Sequence, residues 1–159
     1  MIRNTAVTVC GPLNVNKLGV TYVHEHLMVK PQLPDEYYIP YTLDDEAAST
    51  EETRSFSAAG GETLVEMTPI NYGRNVKAYQ RIAQATGVHV ICCTGFHKQL
   101  FMPPWFGDKT DGELYDILMD EVTNGLDDTE IHPGVIKLGT SFEEVTAAEK
   151  RSIEAVARV

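Results

Sequence analysis

The sequence predicts an α/β fold on a parallel sheet. Of the two architectures that fit, a (β/α)8 barrel fits better than a doubly wound open sheet. Three observations carry this reading. Strand-like and helix-like segments alternate along the whole chain. The strand segments are near-continuous apolar runs, as strands covered on both faces require. The residues with unusual chemistry, His24-Glu25-His26 and Lys137, fall at the carboxyl ends of the first and fourth strands, where barrel enzymes place their active groups. No G-x-G-x-x-G loop favours an open dinucleotide-binding sheet, because the first strand leads into His24-Glu25-His26-Leu27.

The first strand covers about 19–25, where Gly19-Val20-Thr21-Tyr22-Val23 is rich in β-branched and aromatic residues. A polar, acidic stretch over about 43–59 predicts a weak helix. The second strand is 62–67, followed by a helix over 74–86 with Val76, Tyr79, Ile82 and Ala83 on one face. Gly87 supplies its C-terminal stop. The third strand is 88–93, and its helix, 111–124, carries Leu114, Ile117, Leu118 and Val122 on one stripe. Thr110 and Glu113 have capping-box spacing at its start, and Gly125 ends it. Between strand and helix, the segment 100–106 is strongly apolar for a loop. It is expected to cover the barrel top, or to shape a substrate entrance or a dimer surface.

The fourth strand is 134–138. The last helix starts at Thr146 with Glu149 in capping-box position, and Ile153, Val156 and Ala157 continue its apolar face. A complete barrel uses ~250 residues. The 159 residues here supply the first βα units of one, so the chain is expected to be the N-terminal half of a single domain, ending inside the fold.

Composition narrows the partners. An apolar content of 43% and a charged content of 23% suit a soluble globular chain. A net charge of −10, without any Lys/Arg cluster, argues against a nucleic-acid partner. No stretch approaches the ~20 apolar residues of a membrane span, so no membrane partner is expected. The opening Met1-Ile2-Arg3-Asn4-Thr5 lacks a signal peptide's apolar block, which makes the cytoplasm the default location. Cys10, Cys92 and Cys93 match no zinc-ligand spacing and are expected to be reduced, mostly buried thiols.

The chemistry lies elsewhere. Residues two apart on a strand share a face, so His24 and His26 converge while Glu25 turns away. Imidazole is the commonest protein ligand for zinc, and the bland alternative is a pair of histidines bonded to backbone carbonyls. Lys137 lies in the otherwise apolar run Gly134-Val135-Ile136-Lys137-Leu138-Gly139, where a bare ammonium is costly. A salt-bridged or edge-strand lysine is its ordinary explanation. Burial, however, favours the neutral amine, which can take up carbon dioxide as a carbamate able to bridge two metal ions. Such a site requires the three side chains on one face within ~10 Å of each other.

These residues belong to a longer pattern. Thr8-Val9-Cys10-Gly11-Pro12-Leu13, Leu18-Gly19-Val20-Thr21 and His24-Glu25-His26-Leu27 resemble the start of phosphotriesterase-family proteins. The match continues through Leu64-Val65-Glu66-Met67-Thr68, Gly73-Arg74-Asn75, Thr86-Gly87-Val88 and Cys93-Thr94-Gly95-Phe96. It ends with Gly125-Leu126-Asp127-Asp128-Thr129 and the run from Gly134 through Ser141, so the resemblance spans nearly the whole chain.

The resemblance implies a (β/α)8 barrel of the amidohydrolase type, with two divalent metal ions, usually zinc, at its carboxyl face. It implies hydrolysis of an ester, lactone, amide or phosphoester bond in a small-molecule substrate by metal-bound hydroxide. By position, His24 and His26 are the implied ligands of the more buried metal, and Lys137 the carboxylated bridging ligand. Some relatives carry glutamate at the bridging place, so lysine implies the carbamate form. The family's other ligands, one histidine after each of strands five and six and an aspartate after strand eight, have no counterpart in residues 1–159. Phe96 and His97 follow the third strand, where relatives place substrate-contacting side chains, and are the implied substrate-binding residues. His89, His97 and His132 match no ligand position. Glu66 is expected to be structural, pairing with a base such as Arg74, or else to touch the site, while Arg74 holds its loop. An inert fragment and a self-associating half-barrel, a homodimer, stay open as alternatives.

Overall fold

Four-residue runs with one exposed face open the chain. In the computed structural model, which describes residues 4–32 and 42–159, β1 (Thr5–Thr8) and β2 (Gly11–Asn14) pair antiparallel. Residues 1–3, part of the stretch read above for a leader, lie outside the described residues. The hairpin is not foreseen from the sequence, because it is short, carries Pro12 and has no continuous apolar run. It lies against the start of β5 (His89–Gly95): Val9 donates its N–H to the Val90 carbonyl, 2.8 Å away, and its side chain is buried.

A second sheet is parallel and follows chain order: β3 (Thr21–Glu25), β4 (Thr63–Glu66), β5 and β6 (Val135–Lys137). Each strand leads into a helix: α1 (Glu46–Ala58), α2 (Val76–Thr86), α3 (Asp111–Asn124) and α4 (Ala147–Val156). These are the four predicted βα units. Their limits differ in one respect that matters, since β5 runs two residues past the expected end and carries Thr94 and Gly95 to the carboxyl face.

Capping chemistry sets the helix ends. Thr110 with Glu113 and Thr146 with Glu149 form complete capping boxes, and Gly87 closes α2 in the left-handed conformation at φ 75°. The outer faces of β4 and β5, Leu64, Val90 and Cys92, receive Val76, Tyr79 and Ile82 of α2. A second cluster joins Phe96 to Phe106, Leu114, Leu118 and Ala155. Phe101 and Phe106 are buried, so the apolar 100–106 loop packs down onto the fold. In α4 the buried positions are Glu149, Ser152 and Ala155; Ala157, assigned to that face from sequence, is exposed because the helix ends at Val156. Cys92 and Cys93 are buried free thiols, in line with the expectation of mostly buried cysteines, whereas Cys10 is exposed because it sits in the hairpin turn. Among the described residues no helix is long and apolar enough to cross a membrane.

Arg74 ties this architecture together. Its side chain, 4% exposed, donates to both oxygens of Glu121 on α3 (2.6 and 3.1 Å) and both of Asp127 (2.5 and 3.0 Å). A longer bond of 3.4 Å reaches the Cys93 carbonyl on β5. Thr94 adds its hydroxyl to Glu121. Burial works against the guanidinium, but the two carboxylates more than offset it and raise its pKa. Arg74→Met leaves Glu121 uncompensated beneath the loop and is expected to cost about 3–5 kcal/mol, read as a lowered urea midpoint at unchanged m-value.

Candidate metal centre

His24 is the next-to-last residue of β3 and His26 lies just past its end. Pairing with β4 slips between Tyr22, opposite Leu64, and Glu25, opposite Glu66, so β3 carries one extra residue there. Glu25 folds back and accepts the His26 N–H at 2.8 Å. The two imidazoles then sit edge to face with centroids 5.3 Å apart.

Lys137 ends β6, separated from β3 by two intervening strands in the sheet order. Three strand spacings on a flat sheet amount to ~14 Å. Its Nζ nevertheless lies 3.3 Å from His24 Nε2. The sheet must therefore curl, which is the geometry of a barrel wall. Gly95, opposite Lys137 in the register, makes the close approach possible. Its φ is 111°, and a Cβ there would sit 1.9 Å from the Lys137 carbonyl oxygen.

Lys137 belongs to no ion pair among the described residues and is only 9% exposed, so it is neither salt-bridged nor splayed into solvent. Burial lowers its pKa toward the neutral amine. His26 bonds a side chain rather than a carbonyl: Nδ1 lies 2.8 Å from Thr68 Oγ1. Burial, then the neighbouring His24 and Lys137, lowers the His26 pKa to about 4, and burial likewise lowers that of His24. All three groups are biased toward lone-pair-bearing forms, as metal ligands must be. Among the described residues no three His, Cys, Asp or Glu side chains gather as a metal site.

Glu66 departs from expectation. It does not pair with Arg74, which Glu121 and Asp127 occupy; it is fully buried beneath His26. Oε1 accepts the Thr68 hydroxyl (2.6 Å) and the Leu27 N–H (3.1 Å), and Oε2 accepts the Thr68 N–H (3.1 Å). Desolvation raises its pKa to about 7 against these bonds. Thr68 carries no sequence-based role above, although its spacing of two from Glu66 was the available signal.

Tyr72, without any such signal, is the hub of a ring cluster. It meets His26 at 5.8 Å, His97 at 4.7 Å and Phe101 at 4.8 Å between centroids. His97 stacks on Phe101, and its Nδ1 accepts the Lys98 N–H at 2.8 Å, so the neutral ring carries its proton on Nε2. His97 thus joins the site through Tyr72. Phe96 does not. It is fully buried in the cluster with Phe106 and Leu118, because alternation along the chain turns it to the helix side. His132 bonds the Val122 carbonyl, and His89 opens β5 at its amino end.

With this geometry in place, the sequence matches the Phosphotriesterase family over residues 4–159. The chain belongs to that family. A phosphotriesterase-related protein of Nematostella vectensis is 32% identical over 190 residues, covering 99% of this chain and 54% of its own length. A phospho-furanose lactonase of Mycoplasmopsis synoviae is 31% identical, covering 99% and 49%. A lactonase from Listeria monocytogenes superposes with a TM-score of 0.90 at 30% identity, covering 97% of this chain and 53% of that one. The chain spans about half the length of the curated relatives it matches.

His97 makes the site sensitive to acid. Burial, then the charge of Lys137, lowers its pKa to about 4 from the model-peptide value of 6.5. The unfolded chain therefore binds one more proton than the folded chain between those values. The stability this group contributes is complete above pH 6.5 and is lost as pH falls toward 4. His97→Gln keeps an acceptor for Lys98 but does not titrate. Urea unfolding of the metal-free protein across this window is expected to flatten by about one proton in slope.

Proposed function

We propose that residues 4–159 form the N-terminal half of a (β/α)8 barrel whose complete form is a binuclear, zinc-dependent hydrolase of small-molecule esters, lactones, amides or phosphoesters. The observation that carries this reading is the 3.3 Å approach of Lys137 Nζ to His24 Nε2 beside His26. The names of similar proteins support the reaction class. They include lactonases and an N-acetyltaurine hydrolase of Danio rerio, the latter 31% identical over 98% of this chain.

His24 and His26 would hold a metal ion, and a carboxylated Lys137 would supply a shared anionic ligand. When bound, the metal pair supplies Lewis acidity and an activated water. The chain itself does the rest. The desolvated Lys137 amine attacks carbon dioxide: the N–C bond forms, and an amine proton leaves to solvent. One C=O π bond of carbon dioxide opens in the same step, and the neutral amine becomes an anionic carbamate suited to cations. Tyr72, His97 and Phe101 pack as a wall of rings beside His26 that limits water on that side.

The test uses the full-length protein that contains this chain. Elemental analysis is expected to find about two divalent ions per protein, and Lys137→Ala to lose at least ~100-fold in turnover of an ester and lactone panel. Lys137→Glu supplies a two-oxygen anion without carbon dioxide and is expected to retain the metals. Full turnover and metal content in Lys137→Ala would remove the reading.

A further inference from the structure

Glu66 takes no part in the proposed metal set, yet it is a fully buried carboxylate directly below one of the proposed ligands. The protein binds it with donors. Leu27 N–H and the Thr68 hydroxyl converge on Oε1, and the Thr68 N–H on Oε2. In its ionised form a carboxylate so surrounded can only accept, and the single hydroxyl proton of Thr68 is then directed at Glu66, 2.6 Å away. Only lone pairs of Thr68 Oγ1 remain for His26 Nδ1 at 2.8 Å. That nitrogen must carry the proton of the neutral ring, which leaves Nε2 bare.

We infer that Glu66 and Thr68 are positioning residues for His26, forming a relay from Nδ1–H through the Thr68 hydroxyl to the Glu66 carboxylate that selects the tautomer with Nε2 free for a metal ion. The inference rests on the reading of His26 as a ligand. Two further observations favour a built relay over casual contact. His26 Nδ1 is 3.9 Å from Glu66 Oε1, beyond hydrogen-bond range, so the hydroxyl is the link between ring and carboxylate. The same carboxylate also holds the N–H of Leu27, the residue after His26, so it fixes the ring through its side chain and through its backbone. Thr68 and Glu66 are both fully buried, which keeps water from replacing either bond.

The experiment combines histidine nitrogen NMR of the zinc-free protein with zinc affinity measured by competition against a chromophoric chelator. Wild type is expected to show His26 protonated at Nδ1. Thr68→Val is expected to populate the other tautomer and to weaken zinc binding about 10–100-fold, with Thr68→Ser restoring both. An Nε2–H tautomer in the wild type, or unchanged tautomer and affinity in Thr68→Val, overturns the relay. If Thr68→Val fails to fold, the wild-type tautomer and the comparison with Thr68→Ser and Glu66→Gln decide. A wild-type protein that takes up no zinc defeats the metal reading, and the tautomer of the zinc-free protein still judges the relay.

Discussion

Curvature of the parallel sheet is the constraint on which the candidate site depends. β3 and β6 are separated by β4 and β5, and their side chains meet only because the strands roll toward one another. Two local devices serve that roll. The extra residue in β3 swings His24 and His26 over the sheet end, and Gly95 lets β5 press against the backbone of β6. Neither is a ligand, yet each sets where a ligand stands.

Beneath the site lie two buried polar assemblies with different tasks. Arg74 joins the loop after β4 to β5, α3 and the turn at Asp127, and its charge is matched by two carboxylates. Among the described residues no lysine or arginine pairs with Glu66; backbone and hydroxyl donors satisfy it instead. The first assembly anchors the helix layer to the sheet. The second reaches into the chemistry through His26. Groups of this kind are costly to bury and hold one arrangement only when every member is satisfied, which is why both sit where loop geometry must be reproducible.

Much of this was legible in the residues because the strand and helix signals are local. The capping boxes at Thr110 and Thr146, the glycine stop at Gly87 and the stripe along α2 each depend on a few neighbouring positions, and each appears as read. The parity of His24 and His26 placed their rings on one face, and the apolar run around Lys137 foretold its burial. What escaped is non-local. Nothing near Pro12 announces a hairpin whose partner surface is the amino end of β5, far along the chain. Phe96 was misplaced because β5 continues to Gly95, so the parity that turns it outward is set by register rather than by its own neighbours. Thr68 and Tyr72 gain their meaning from rings and carboxylates brought to them by other strands.

Gly95 has a consequence for anyone diversifying this part of the chain. A side chain there would act as a wedge between two strands and displace the backbone that carries Lys137. Saturation mutagenesis at this position would report lost function although no reacting group had been touched. The tolerance map of the carboxyl face is thus set as much by interstrand clearance as by chemical identity.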